Sequence, residues 1–273
     1  MRKFLFCLIL FSAAAFCFAQ ELSPGAEKEV QDFLQLRMEL SAYENPQDAL
    51  AVIYEFEDGL NKKRANFSEE ENLVLDNFLV TEKTYYMLSD ETKRKELRPF
   101  IENQRDKTES WIKSHESESP SKWIYCTCGD LIFFSMPFSI NTIIKYGISV
   151  KEFYEKAMEK DPEFCYANLN YAQWYFWAPG IAGGSRKKAE EILENAFSFA
   201  VTPAEKYYAG IFYSQCLFEN KKREESRAVL QVAYEQFPQS LYVKLIKECN
   251  ENGYSIFEAG RKMSRQGKQD GSL

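Results

Sequence analysis

Along most of this chain apolar residues return every three or four positions, the spacing that lines one face of an α-helix. Val30, Phe33, Leu34, Leu36 and Leu40 trace the first such stripe, which runs out near Tyr43. Asn45-Pro46 restarts the pattern with a capping residue and a proline in the first turn, and Ala49, Val52, Ile53, Phe56 and Leu60 carry its buried face. Ser68-Glu-Glu-Glu71 has the spacing of a capping box, in which serine and glutamate satisfy orphan amides reciprocally. The helix it opens carries Leu75, Phe78 and Leu79 and is expected to reach Leu88. Another helix is expected over 90–113. HESESPS, residues 115–121, reads as a polar linker between an N-terminal helical domain, 20–120, and a second helical domain, 121–259.

The second domain repeats itself. FYEKAMEKDP, AEEILENAFSFA and SRAVLQVAYEQFP end alike, with Ala157, Ala196 and Ala233 recurring at intervals of about 39 and 37 residues. Pro162 and Pro238 each follow the alanine at the same distance. Small residues at such positions let two helices approach closely, and the prolines end one pair before the next begins. This pattern resembles the tetratricopeptide repeat, a helix-turn-helix unit of about 34 residues. Tyr171, Ala172 and Tyr175 fit the first helix of one repeat, and Tyr213, Ser214 and Leu217 that of the next. The resemblance covers about 150–238 and extends less closely back to Trp123. Its first glycine-like position is Ala or Ser here, and the turn between Tyr175 and Ala189 is too long by about five residues. The implied architecture is all-α: an N-terminal helical domain followed by about three tetratricopeptide-like pairs stacked as a short solenoid, with a concave binding face.

If Cys165 and Tyr207 begin their repeats, the groove-facing positions fall on Tyr166, Leu169, Gln173, Phe176 and Trp177, then on Tyr208, Ile211, Gln215, Phe218 and Glu219. Such a wall suits an apolar ligand or an extended peptide, because aromatic rings supply contact area and amides fix orientation. The same faces serve as simple core if the N-terminal helices cover them. The long turn, Pro-Gly-Ile-Ala-Gly-Gly-Ser, lacks the Lys-Ser/Thr pair of a phosphate loop and follows a helix rather than a strand. It reads as a capped corner, with Ser185 opening the next helix; the amides ahead of Arg186 and Lys187 are an alternative anion site. LIFFSMPFSINTIIKYGI, residues 131–148, is apolar, but Pro137, Asn141 and Lys145 interrupt it. A buried helix pair is expected there, or one end of a pocket or a subunit contact.

Composition agrees with helices and a real core: 273 residues, 45% hydrophobic and 15% aromatic, with only 12 Gly and 9 Pro as punctuation. The net charge of −7 argues against nucleic acid and anionic lipid as partners. MRKFLFCLILFSAAAFCFAQ has the basic start, apolar run and small-residue end of an export signal, cut after Ala19. A lipid-modified Cys17 is the weaker option, since Phe16 stands where lipoprotein signals place a small residue. Periplasmic export follows as the expected localisation. No membrane span is expected once residues 1–19 are removed, and 260–273 reads as a loose tail.

Chemistry is sparse. The single histidine, His115, lies in the polar linker, and acidic runs such as 68–71 read as solvated helix starts. Cys126-Thr-Cys128 offers a reducible disulfide or soft metal ligands, but no second pair completes a zinc site, and packing as small hydrophobes is the expectation. No catalytic residue, metal or cofactor is assigned. The expected function is non-enzymatic binding of a partner protein or ligand in the groove, with oligomers possible. The export signal, acidic surface, repeats and Pro-x-x-x-Gly-Gly turn, residues 179–184, also resemble the helical T-component of tripartite ATP-independent periplasmic transporters. That resemblance implies a solute-binding protein as partner and a hydrophobic ligand.

Overall fold

The computed structural model describes residues 21–88 and 94–261, and every regular element among them is helical. The export signal, the start expected for the fourth helix and most of the tail lie outside the described residues. The helices are α1 (Pro24–Leu40), α2 (Pro46–Asn61), α3 (Glu69–Met87), α4 (Arg94–Ser114), α5 (Lys122–Ser135), α6 (Ile140–Tyr146), α7 (Val150–Lys160), α8 (Cys165–Trp177), α9 (Arg186–Phe199), α10 (Pro203–Glu219), α11 (Arg223–Gln236) and α12 (Leu241–Glu251). Residues 256–261 form a further short helical turn.

Local chemistry sets the starts. Asn45 caps α2 by accepting from the Gln47 amide at 3.0 Å, ahead of Pro46. Ser68 and Glu71 form both bonds of the capping box, and Thr202 and Glu205 repeat the device at α10. The acidic start of α3 is not a solvated run as expected. Glu70 and Glu71 are buried: Glu70 accepts the Ser121 amide at 2.6 Å, and Glu71 accepts those of Ser23 and Ser68 at 2.6 and 2.7 Å. Charge at a helix start is stabilised by the local dipole, and here it also ties the beginnings of α1, α3 and α5 together. The 115–121 stretch makes a short turn, passes through Ser119 with φ of 57°, and ends in Ser121, which caps α5.

The second half is a succession of packed couples, α5 with α7, α8 with α9 and α10 with α11, each couple also touching the next. Ala157, Ala196 and Ala233 sit on α7, α9 and α11, all fully buried. The approach is close: a Cβ on Gly210 of α10 would stand 3.0 Å from that of Ala233. α6 is an insertion within the first couple. The expected buried pair over 131–148 is therefore half right. Leu131 and Ile132 of α5 are buried, but Ile140, Ile143, Ile144 and Ile148 are 68%, 45%, 77% and 60% exposed, because Pro137 follows the end of α5 and the short α6 turns Thr142 and Tyr146, rather than its isoleucines, toward the neighbouring α4.

α1, α3 and α12 lie across the couples. α1 packs on α10 and α3 on α5, while the Leu241 amide donates to the Ser41 carbonyl at 2.9 Å, joining the start of α12 to the end of α1. Residues from α1 through α12 share one buried apolar cluster. Within it Phe33, Phe78, Trp123, Phe164 and Tyr166 interlock through edge and tilted ring contacts. Each such large side chain contributes roughly 1.5–3 kcal/mol by leaving water.

Candidate ligand cavity

Between the couples and the helices lying across them is a cavity of about 670 Å³. The first helices of the couples form one wall, with Phe133 and Phe134 from α5, Tyr166, Leu169 and Gln173 from α8, and Tyr208, Ile211 and Phe212 from α10. Leu34, Arg37 and Leu40 of α1, Tyr85 and Tyr86 of α3, and Tyr242 and Leu245 of α12 form the other. A volume of this size is in the range of small-molecule pockets, and its lining is mainly aromatic and aliphatic.

Five charged side chains line this space, and three of them, Arg37, Glu82 and Asp130, are buried or nearly so within its apolar walls. Arg37 donates from Nε to Glu82 at 2.8 Å; its side chain keeps 23% of its surface exposed and that of Glu82 only 6%. The guanidinium also lies 5.3 Å from the centre of the Tyr208 ring. Burial raises the Glu82 carboxyl above its ordinary range, although Arg37 pulls it down. Asp130 is the third. Tyr154 donates to its Oδ1 at 3.0 Å and Tyr166 to its Oδ2 at 2.6 Å. Burial pushes the Asp130 carboxyl up to about 6, against the lowering pull of Tyr166, Arg37 and Tyr154. Burial and the nearby Asp130 hold both phenols protonated, hence donors. The arrangement needs Gly129: a Cβ there would stand 2.8 Å from the Tyr154 ring, so the glycine admits the tyrosine that reaches the next residue's carboxylate.

The ten groove-facing positions divide. Tyr166, Leu169, Gln173, Tyr208 and Ile211 line the cavity. Phe176, Trp177, Gln215, Phe218 and Glu219 do not. Phe176 and Trp177 pack on Phe257 at 5.0 and 5.1 Å between ring centres, and Gln215 accepts the Ile256 amide at 3.0 Å. Phe218 lies under the Arg223 guanidinium. Arg261, placed by the sequence reading in the tail, pairs with Glu219 at 2.6 Å and lies over Trp177. The groove is thus closed at this end by the chain's own residues 255–261, roughly 16 Å along α8 from Tyr166. The alternative that N-terminal helices cover the faces holds at the other end, where Tyr166 meets Phe78 and Tyr208 meets Arg37. The cavity is what the two coverings leave between them.

Sequence reasoning passed over Arg37, Glu82 and Asp130. Charged residues at core-phase positions of apolar helices are the signal that marks them: Asp130 interrupts Cys126–Ile132, and Arg37 falls on the stripe of Phe33, Leu34 and Leu40.

The other candidates are structural. Cys126 and Cys128 are separate, buried thiols raised by burial. His115 stacks on Trp111 at 4.3 Å, away from the cavity. The Gly-rich turn is a corner: Gly183 has φ of 95°, a Cβ on Gly184 would fall 1.8 Å from the Ala178 carbonyl oxygen, and Ser185 caps α9. Among the described residues no helix is long and apolar enough to cross a membrane. Comparison with protein-family models finds no match, and no curated protein matches the chain.

Proposed function

We propose that this chain is an exported, non-enzymatic binding protein, built of tetratricopeptide-like helix couples, that holds a small ligand with an apolar body in the cavity between Tyr166 and Tyr208. The observation that carries this reading is the cavity itself: about 670 Å³ walled by rings and aliphatic side chains, with a few converging polar groups. A concave, mainly aromatic space of this size with a few convergent polar groups is the usual form of a small-molecule site.

Native mass spectrometry of the purified full-length chain, before and after organic extraction, tests it. The expected result is a small-molecule adduct that extraction removes and that Gln173→Trp, which fills the cavity from a half-buried position, prevents. Protein of bare chain mass throughout, with a second polypeptide copurifying instead, contradicts it.

One observation favours an accessory role in solute transport. Four isoleucines of α6 and the turn after it are exposed, on a helix that contacts α5, which carries Phe133 and Phe134 of the cavity wall. Apolar patches of this kind mark contact with other macromolecules. In that reading a periplasmic solute-binding protein docks there and exchanges ligand with the cavity.

A further inference from the structure

We infer that the cavity selects an organic cation, an amine or ammonium group carried on an apolar or aromatic body, with Asp130 as its counter-charge. This rests on the cavity being a ligand site and adds the chemical class of the ligand.

The charge inventory comes first. Among the described residues the lining holds one cation, Arg37, against four carboxylates, Glu44, Glu82, Asp130 and Glu205. Arg37 is already engaged by Glu82, so it offers little to a ligand carboxylate. Glu205 is held by the Val201 and Thr202 amides. Asp130 is different. Its hydrogen bonds come from two neutral phenols, and among the described residues no Lys or Arg nitrogen comes within 4.0 Å of it. Each of its oxygens accepts one bond and retains a free lone pair.

A buried carboxylate without a bonded cation is costly, and ammonium is the group that completes it. The surrounding surfaces suit the same ligand. The faces of tyrosine rings attract cations, and Tyr85, Tyr86, Tyr166, Tyr208 and Tyr242 all border the space. Arg37 over Tyr208 already shows one ring used in this way. The groups facing Asp130 are Arg37 from α1, Tyr154 from α7, Tyr166 from α8 and Cys126 from its own helix, with Glu82 of α3 behind Arg37. Cys128, two residues before Asp130 on the same helix, also feels its charge, together with those of Arg105 and Glu109 from α4.

Calorimetric titration of the full chain with three indoles of one shape tests the inference: tryptamine, indole-3-propionamide and indole-3-propionate, which are cationic, neutral and anionic. Tryptamine is expected to bind tighter than either of the others by on the order of tenfold. Asp130→Asn should remove that preference, and in the wild-type chain it should shrink as pH falls from about 7.5 to about 5 and Asp130 takes up a proton. The pH arm keeps the test valid should the variant fold poorly. Equal or tighter binding of the amide or the propionate overturns the cation inference and leaves the cavity reading in place. A tryptamine preference indifferent to both Asp130→Asn and pH also overturns it. If none of the three binds at millimolar concentration, the cavity reading falls and the inference falls with it.

Discussion

Single atoms decide several features of this molecule. At Gly184 a methyl group would meet the Ala178 carbonyl at 1.8 Å, whereas at Gly180 it would meet nothing within 4 Å. Gly184→Ala should therefore cost about 3 kcal/mol or more in urea unfolding, and Gly180→Ala under about 0.5 kcal/mol. Arg37 and Glu82 stabilise each other inside an apolar wall. Losing one partner, as in Glu82→Leu, should cost about 2–4 kcal/mol, somewhat below a fully buried pair because Arg37 stays partly exposed. Arg37→Met with Glu82→Leu should recover most of that loss, which a double-mutant cycle reads directly. Asp130 gives a pH signature. Its carboxyl is raised from 3.8 to about 6 in the fold, so between those values the folded chain holds a proton that the unfolded chain has released. Stability is then lost as pH rises through that window, by up to about 3 kcal/mol, and stays lost above it. Asp130→Asn should be the more stable protein at pH 7, with its advantage gone below about pH 4, by denaturant midpoints across pH. A carboxylate that weakens its own fold at neutral pH fits a group retained for binding.

At the level of elements the sequence was a good guide wherever a local rule operates. The Asn45-Pro46 start, the Ser68–Glu71 box and the Ser185 cap follow from backbone amides that need partners nearby, and all three are where spacing placed them. The alanines on α7, α9 and α11 were legible because close helix approach admits only small side chains. What spacing could not convey was which neighbour covers an element. Glu70 and Glu71 look solvated from their own helix and become buried because α1 and α5 begin beside them. The isoleucines of α6 look like core and are exposed because their helix turns Thr142 and Tyr146 toward α4 instead. Likewise Phe176, Trp177, Gln215 and Phe218 carry the right phase for a groove, yet residues 255–261 return to fill it. Phe257 is the centre of that closure, touching Phe176, Trp177 and Phe212. Phe257→Ala should cost about 2–4 kcal/mol and shift the fluorescence of Trp177 toward that of indole in water, while the cavity near Tyr166 stays intact.

Across the whole molecule, the couples supply one wall, and α1, α3 and α12 cover it at one end and residues 255–261 at the other. The space between them exists only because neither covering reaches the middle, a property of long-range packing that no window of sequence holds. Five of the ten positions chosen from helical phase line it, since phase along α8 and α10 is local; Arg37, Glu82 and Asp130 were missed, since their partners come from helices distant in sequence. We propose that this space is occupied in the working protein. A crystal structure of the full chain grown with tryptamine tests this most directly. The result expected is indole density between Tyr166 and Tyr208 with the amine at Asp130. Density only elsewhere, with the cavity collapsed onto its own side chains, would contradict it.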